Sequence, residues 1–124
     1  MRLEPYTDTV GKITIGVGRN LTDVGISQNE AMAMLRSDQK SAENGVLHRW
    51  QWSRNLDDRR LAVMVNMAFN MGIEGLAEFQ RMLAAVEAGD YDIAAMEMLD
   101  SVWATQVGDR ATRLAEQMRT GKWV

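Results

Sequence analysis

The chain has 124 residues, a hydrophobic share of 46% and a formal net charge of −3. Those values fit one domain with a sizeable core and argue against a nucleic-acid binder, whose phosphate contacts come from a basic face. The absence of cysteine excludes disulfides, thiolate metal sites and a cysteine nucleophile together, so stability must come from packing.

Residues 1–62 carry nine Lys/Arg and eight Asp/Glu and residues 63–124 five and nine, so the net acidity sits in the second half. The lone histidine, His48, cannot by itself build a His-rich metal site or an obvious Ser-His-Asp relay, and reads as an ordinary surface or loop residue. No run approaches the ~18 apolar residues of a membrane span, and no charged-then-apolar leader opens the sequence. The chain as written reads as soluble.

Residues 12–18 alternate, with Ile13, Ile15 and Val17 expected on one face and Lys12, Thr14 and Gly16 on the other. Gly11 supplies the preceding turn, so residues 6–18 are predicted to form a β-hairpin. Ser27-Gln28-Asn29-Glu30 is a capping box that opens a helix. Ala31, Met34, Leu35 and Ala42 then repeat at helical spacing as far as Gly45, the predicted stop.

The next helix begins at Asp57-Asp58, where carboxylates suit the positive end of the helix dipole. It runs through Leu61, Val63, Met64, Met67 and Phe69 with apolar residues on every face, the mark of a helix surrounded by others. Gly72 and Gly75 punctuate its exit. A further helix is predicted over residues 79–88 and closes at Gly89. Asp90 is expected to cap another through Met98 and Leu99, and Asp109 the last, with Ala111, Leu114, Ala115 and Met118 inward. The fold class is therefore α+β, a small sheet followed by a helical bundle.

Met34, Met64, Met67, Met71 and Met98 fall at helical spacing and read as gap-filling core residues rather than a metal or cofactor site. Trp50, Trp52, Trp103 and Trp123 read as core anchors more than sugar platforms. Trp103 stays open between the two, because it follows a helix end near a Gly-Asp-Arg turn.

Arg2 to Asp8 together with Thr14-Ile15-Gly16-Val17-Gly18 resemble the phage-type lysozymes of the T4 lysozyme family. Asp58-Arg59-Arg60, Asn66 to Gly72 and Arg119-Thr120-Gly121-Lys122-Trp123 resemble that family's C-terminal lobe in order and type. The resemblance implies one lysozyme-like domain over 1–124, with a sheet lobe over about 1–26 and a connecting helix over about 27–45. A helical lobe over about 46–124 would follow, with the substrate cleft between the lobes.

The family's catalytic set is a Glu on the first helix, an Asp in the following turn and a Thr on the hairpin. Asp8 and Thr14 match the last two. Counted back from Arg2, the Glu would fall two positions before Met1, and three explanations stay open. The chain is a fragment or a late-started reading frame, or a degenerate form that binds glycan without cutting it, or Glu4 stands in for the acid. Glu4 lies five residues beyond the expected place, a rotation of about 140° on a helix, and Pro5 restricts rearrangement.

Phe69, Asn70 and Arg110 match substrate-binding positions. Read alone, Phe69 continues an apolar helix, Arg110 is a solvated helix-start residue, Asp8 a turn former and Thr14 a strand former. Arg19 stands where the family has a histidine and Asp38 matches the acid that pairs with it, so an Arg19–Asp38 ion pair is expected; Glu97 replaces an amide at a substrate position, and the loop after the hairpin is shorter.

The implied activity is a muramidase cutting the β-1,4 bond between N-acetylmuramic acid and N-acetylglucosamine in peptidoglycan. It would come from a phage or prophage, be made in the host cytoplasm and act on the wall in the periplasm. It would need no metal or organic cofactor, bind peptidoglycan strands but no nucleic acid, and be monomeric when complete. The alternative is an inactive lysozyme-fold module docking on wall or on a protein partner. Loss of a first helix would also expose apolar surface and favour self-association.

Overall fold

The computed structural model describes every residue except Met1, Asp8, Val10, Val17 and Gly18, and omits the Arg2 side chain. The expected catalytic Asp8 and the strand residue Val17 therefore lie outside the described residues. The described residues form three strands, β1 (Arg2–Thr7), β2 (Ile13–Gly16) and β3 (Arg19–Asn20), and then helices. These are α1 (Gln28–Arg49), a 3-10 turn (Gln51–Asn55), α2 (Asp58–Ala77), α3 (Gln80–Ala88), α4 (Tyr91–Leu99), α5 (Val102–Val107) and α6 (Asp109–Thr120). No helix among the described residues is long and apolar enough to cross a membrane. The chain divides into two compact units, Met1–Ser37 and Asp38–Val124.

The first unit is an antiparallel sheet in the order β1-β2-β3, leading into α1. Thr14 lies on the central strand, opposite Tyr6 on one side and Asn20 on the other. The predicted facing is reversed on this strand, because Thr14 is 3% exposed while Ile13 is 51% exposed. A hydroxyl tolerates burial when it is satisfied, and Thr14 Oγ1 donates to the Lys12 carbonyl at 3.2 Å. Polar contacts also brace the exit of the sheet. Thr22 Oγ1 accepts from the Ile13 N–H, and Asp23 accepts from both Lys12 and Asn20.

The predicted capping box opens α1 as drawn from the sequence: the Glu30 N–H donates to Ser27 Oγ and the Ser27 N–H to Glu30 Oε1. Arg19 then engages Glu30 with both terminal nitrogens and reaches the Gly25 carbonyl, so its partner is Glu30 rather than the expected Asp38. The Ser27 N–H first, then the Arg19 guanidinium, holds the Glu30 carboxyl below the usual carboxylate range. A carboxylate already fixed in the first helical turn is the better-oriented acceptor.

Helix α1 does not stop at Gly45 but continues to Arg49. A Cβ at Gly45 would sit 2.9 Å from the Ile73 side chain, so this glycine permits a close helix approach instead of ending the helix. Along α1 only Val46 is buried, and Met34, expected in the core, is 52% exposed.

The core belongs to the second unit. Met64, Met67, Leu76, Met82, Val86, Met98 and Met118 are all fully buried there, as the spacing of Met64, Met67 and Met98 predicts. Unbranched thioethers pack an irregular space between short helices that β-branched side chains would fill less easily. Trp103 joins this core, Trp50 and Trp52 pack against it half-buried, and Trp123, expected as a core anchor, is 66% exposed and outside it.

Asp57 caps α2, its carboxylate accepting from the Arg60 N–H at 3.0 Å. Gly72 interrupts the helix with φ 81° and ψ 164°, a conformation that L side chains rarely adopt, and the helix then resumes to Ala77. Helix α3 closes at Gly89 as expected. Asp90 occupies the cap position of α4 but makes no side-chain capping bond. Asp109 is the first residue of α6 rather than its cap, since Gly108 holds that place. Helix α5 lies outside the predicted elements; Ser101 caps it by accepting from the Ala104 N–H while donating to the Met98 carbonyl.

Arginines of α2 clasp the end of α6. Arg60 donates to the Met118 carbonyl at 2.7 Å and the Arg119 carbonyl at 3.2 Å, and its guanidinium lies over the Tyr91 ring. Arg59 donates to the Gly121 carbonyl at 2.9 Å, and Gln117 returns a bond to the Arg59 carbonyl. Asp57 holds Arg60 from the other side at 3.2 Å. Burial pushes the Asp57 carboxyl up, but the Arg60 N–H and guanidinium and the charges of Arg60 and Arg59 outweigh it and leave it below its ordinary value.

Because the folded-state value is lowered, this stabilisation is fully present above the ordinary Asp value of about 4. It is lost as pH falls through the folded value. Asp57→Ala should cost about 1–2 kcal/mol in urea unfolding at neutral pH. Asp57→Asn should shrink the loss of stability seen by circular dichroism below about pH 4; an unchanged acid limb would contradict this account of the clasp. Ser53 Oγ is fully buried without a hydrogen-bond partner among the described residues. Ser53→Ala should therefore be neutral or raise stability by up to about 1 kcal/mol in the same urea titration.

Candidate active site

Within the sheet unit the chemistry-bearing side chain is Thr14. Its backbone is fixed by pairing on both sides, and its hydroxyl by the Lys12 carbonyl, so the oxygen keeps lone pairs for an incoming donor. Asp8, six residues earlier in sequence, lies outside the described residues.

Within the helical unit a hollow of about 730 Å³ opens between the ends of α2, α4 and α5 and the start of α3. Trp103 forms its buried wall, 7% exposed, and donates from Nε1 to Asn70 Oδ1 at 3.1 Å. Phe79 meets the Trp103 ring edge-on, with centroids 6.3 Å apart and planes at 85°. This arrangement fixes Asn70: with its oxygen occupied by the indole, its amide NH2 remains to donate. Glu78, Glu97 and Asp100 bring carboxylates to the rim and Arg81 a guanidinium.

A hollow of this size, lined by Trp103, Phe79, Met71 and Met82 together with a comparable share of polar and charged side chains, falls in the size range of small-molecule sites. Among the described residues no group of three or more His, Asp or Glu side chains is arranged to hold a metal.

Asn70 lines this hollow; Phe69 and Arg110 are not among its lining residues. Phe69 is an exposed side chain of α2, and Arg110 lies in the first turn of α6, donating to Asn66 Oδ1. Glu97 does line the hollow, as does Trp103. Glu78, Arg81 and Asp100 carried no sequence signal beyond lying near helix ends. Their convergence follows from where α2, α3 and α4 terminate.

A small three-stranded antiparallel sheet followed by six α-helices among the described residues makes an α+β fold of the lysozyme-like kind. The chain belongs to the phage lysozyme family, whose family model matches residues 1–119. It is 28% identical to probable T4-type lysozyme 2 of Dictyostelium discoideum, over 97% of this chain and 88% of that protein. To probable T4-type lysozyme 1 of the same organism it is 27% identical, with the same coverage of both chains. It is also 29% identical to the pre-baseplate central spike protein Gp5 of Enterobacteria phage T4, over 98% of this chain but 26% of that protein.

Replacing Asn70 by Ala should strand the buried Trp103 N–H and lower stability by about 1–3 kcal/mol. Asn70→Asp, which keeps an acceptor, should retain most of it. Urea unfolding followed by tryptophan fluorescence reads both, and an Asn70→Ala variant as stable as the parent would show that the bond contributes nothing.

Proposed function

We propose that this protein is a peptidoglycan hydrolase of the muramidase type, cleaving the β-1,4 bond between N-acetylmuramic acid and N-acetylglucosamine. The observation that carries the reading is membership of the phage lysozyme family across residues 1–119, with Thr14 fixed at the centre of the sheet. Hydrolysis adds water across the bond: a carboxylic acid protonates the leaving oxygen, while a carboxylate draws a proton from the water attacking the anomeric carbon. Asp8 takes the second role, and the Thr14 hydroxyl orients the water. The acid role belongs to the family's Glu, for which the sequence reading finds no match among these 124 residues. Phe69, Asn70 and Arg110 hold the sugar, the Asn70 amide suiting an N-acetyl carbonyl.

The chemistry needs no metal or organic cofactor. The enzyme would be made in a bacterial host, act on the wall in the periplasm, and work as a monomer. The second reading, a wall-binding module without activity, is favoured by one point: Asp8 alone within the 124 residues matches a catalytic carboxylate of the family.

A turbidity assay on purified cell wall separates the readings when the 124-residue chain is compared with one extended by its in-phase upstream codons. The extended chain should clear the wall. Asp8→Asn and Thr14→Val in that background should each slow clearing by roughly a hundredfold or more, the scale of acid–base assistance. An extended chain carrying an in-phase Glu that binds wall but never clears it would favour the module, and full activity in Asp8→Asn would sink the proposed mechanism.

A further inference from the structure

Helix α3 has a second hollow on its flank. Gln80, Leu83, Ala84 and Glu87 follow one another at i, i+3, i+4 and i+7, so they form one stripe of this helix. That stripe lines a hollow of about 300 Å³, together with Arg49, Trp50 and Trp52. The two tryptophans arrive there because α1 ends at Arg49 and a 3-10 turn follows at once. Each packs against the core while staying half-exposed. Arg49 is held in place by a 3.0 Å ion pair with Glu74, and its guanidinium lies 5.7 Å from the Trp50 ring centre.

The decisive observation is that Gln80 lines both this hollow and the larger one walled by Trp103. One exposed amide therefore borders two aromatic-lined depressions on the same helical unit, and a polymer lying in the first can pass over Gln80 into the second. The chemistry of the smaller hollow fits a pyranose. Indole faces suit the C–H face of a sugar ring, and the Gln80 amide and the Glu87 carboxylate supply donor and acceptors for hydroxyl and N-acetyl groups.

We propose that the Trp50–Trp52 trough is an accessory saccharide subsite that receives the same wall glycan strand as the larger hollow, with Gln80 as the shared contact. The proposal rests on the wall-glycan reading given above. Such a subsite would not touch the reacting bond; it would lengthen the stretch of strand that is held.

The test uses the 124-residue chain with 15N-labelled indoles, titrated with soluble glycan strands of alternating N-acetylglucosamine and N-acetylmuramic acid stripped of stem peptides. Its four indole N–H signals, assigned by single Trp→Phe variants, report Trp50, Trp52, Trp103 and Trp123 separately. The signals of Trp50 and Trp52 should move together with that of Trp103 over one concentration range, while the exposed Trp123 stays still. Gln80→Ala, at an exposed position, should weaken strand binding about three- to tenfold, the scale of one lost hydrogen bond. Trp52→Phe, which preserves a packed ring, should reduce affinity without altering the urea midpoint by more than a small margin.

Movement of Trp103 with Trp50 and Trp52 unmoved overturns the accessory subsite and leaves the wall-glycan reading standing. If no indole moves and purified wall fails to retain the chain, the wall-glycan reading itself fails. Movement of Trp50 and Trp52 without Trp103 overturns the shared strand path.

Discussion

The helical unit depends on how the end of α6 is held. The last carbonyls of any α-helix lack intrahelical donors, and a buried helix end must find them elsewhere. Here the donors come from α2, about sixty residues away in sequence: Arg60 serves Met118 and Arg119, and Arg59 serves Gly121. Arg60 can do this because Asp57 fixes it from one side and the Tyr91 face supports it from another. A guanidinium suits this task, since its fixed fork of donors can reach two carbonyls and a carboxylate at once. With the start of α2 tied to the end of α6, the fully buried methionines between them have a fixed volume to fill. The further course of α2 is set as well, and it carries Asn70 to Trp103.

The sheet unit is stabilised differently. Among its described residues Thr14 alone is buried, and short strands are tied by side chain to backbone bonds and small polar networks rather than by an apolar core. Arg19 and Glu30 extend that pattern to the first turn of α1. A unit with so little apolar burial depends on the geometry of its polar contacts, and that dependence suits a place where a hydroxyl must be positioned closely.

The two units therefore divide the chemistry. The sheet carries the residues proposed to act on water, and the helical unit carries aromatic walls and amides proposed to hold sugar. Kinking α2 at Gly72 and ending α4 at Leu99 bring Asn70, Glu97, Asp100 and Trp103 to one hollow. Gln80 at the start of α3 then links that hollow to the trough beyond it. Glycan recognition commonly spans several rings, and a helical surface with two aromatic-lined depressions would provide a physical basis for the proposed strand binding.

Local signals told the truth where the physics is local. The Ser27–Glu30 capping box, the Asp57 cap and the Gly89 stop each concern bonds made within a few positions, so the sequence by itself determined them. The same holds for the α+β class and for family membership, which rests on the order of residue types. Tertiary structure decided the rest. Gly45 stayed helical because Ile73 approaches it, Thr14 and not Ile13 turned inward, and Arg19 chose Glu30 over Asp38. Which helix ends converge on Trp103, and that Gln80 borders two hollows, depend on packing between distant segments, and periodicity carries no record of such contacts.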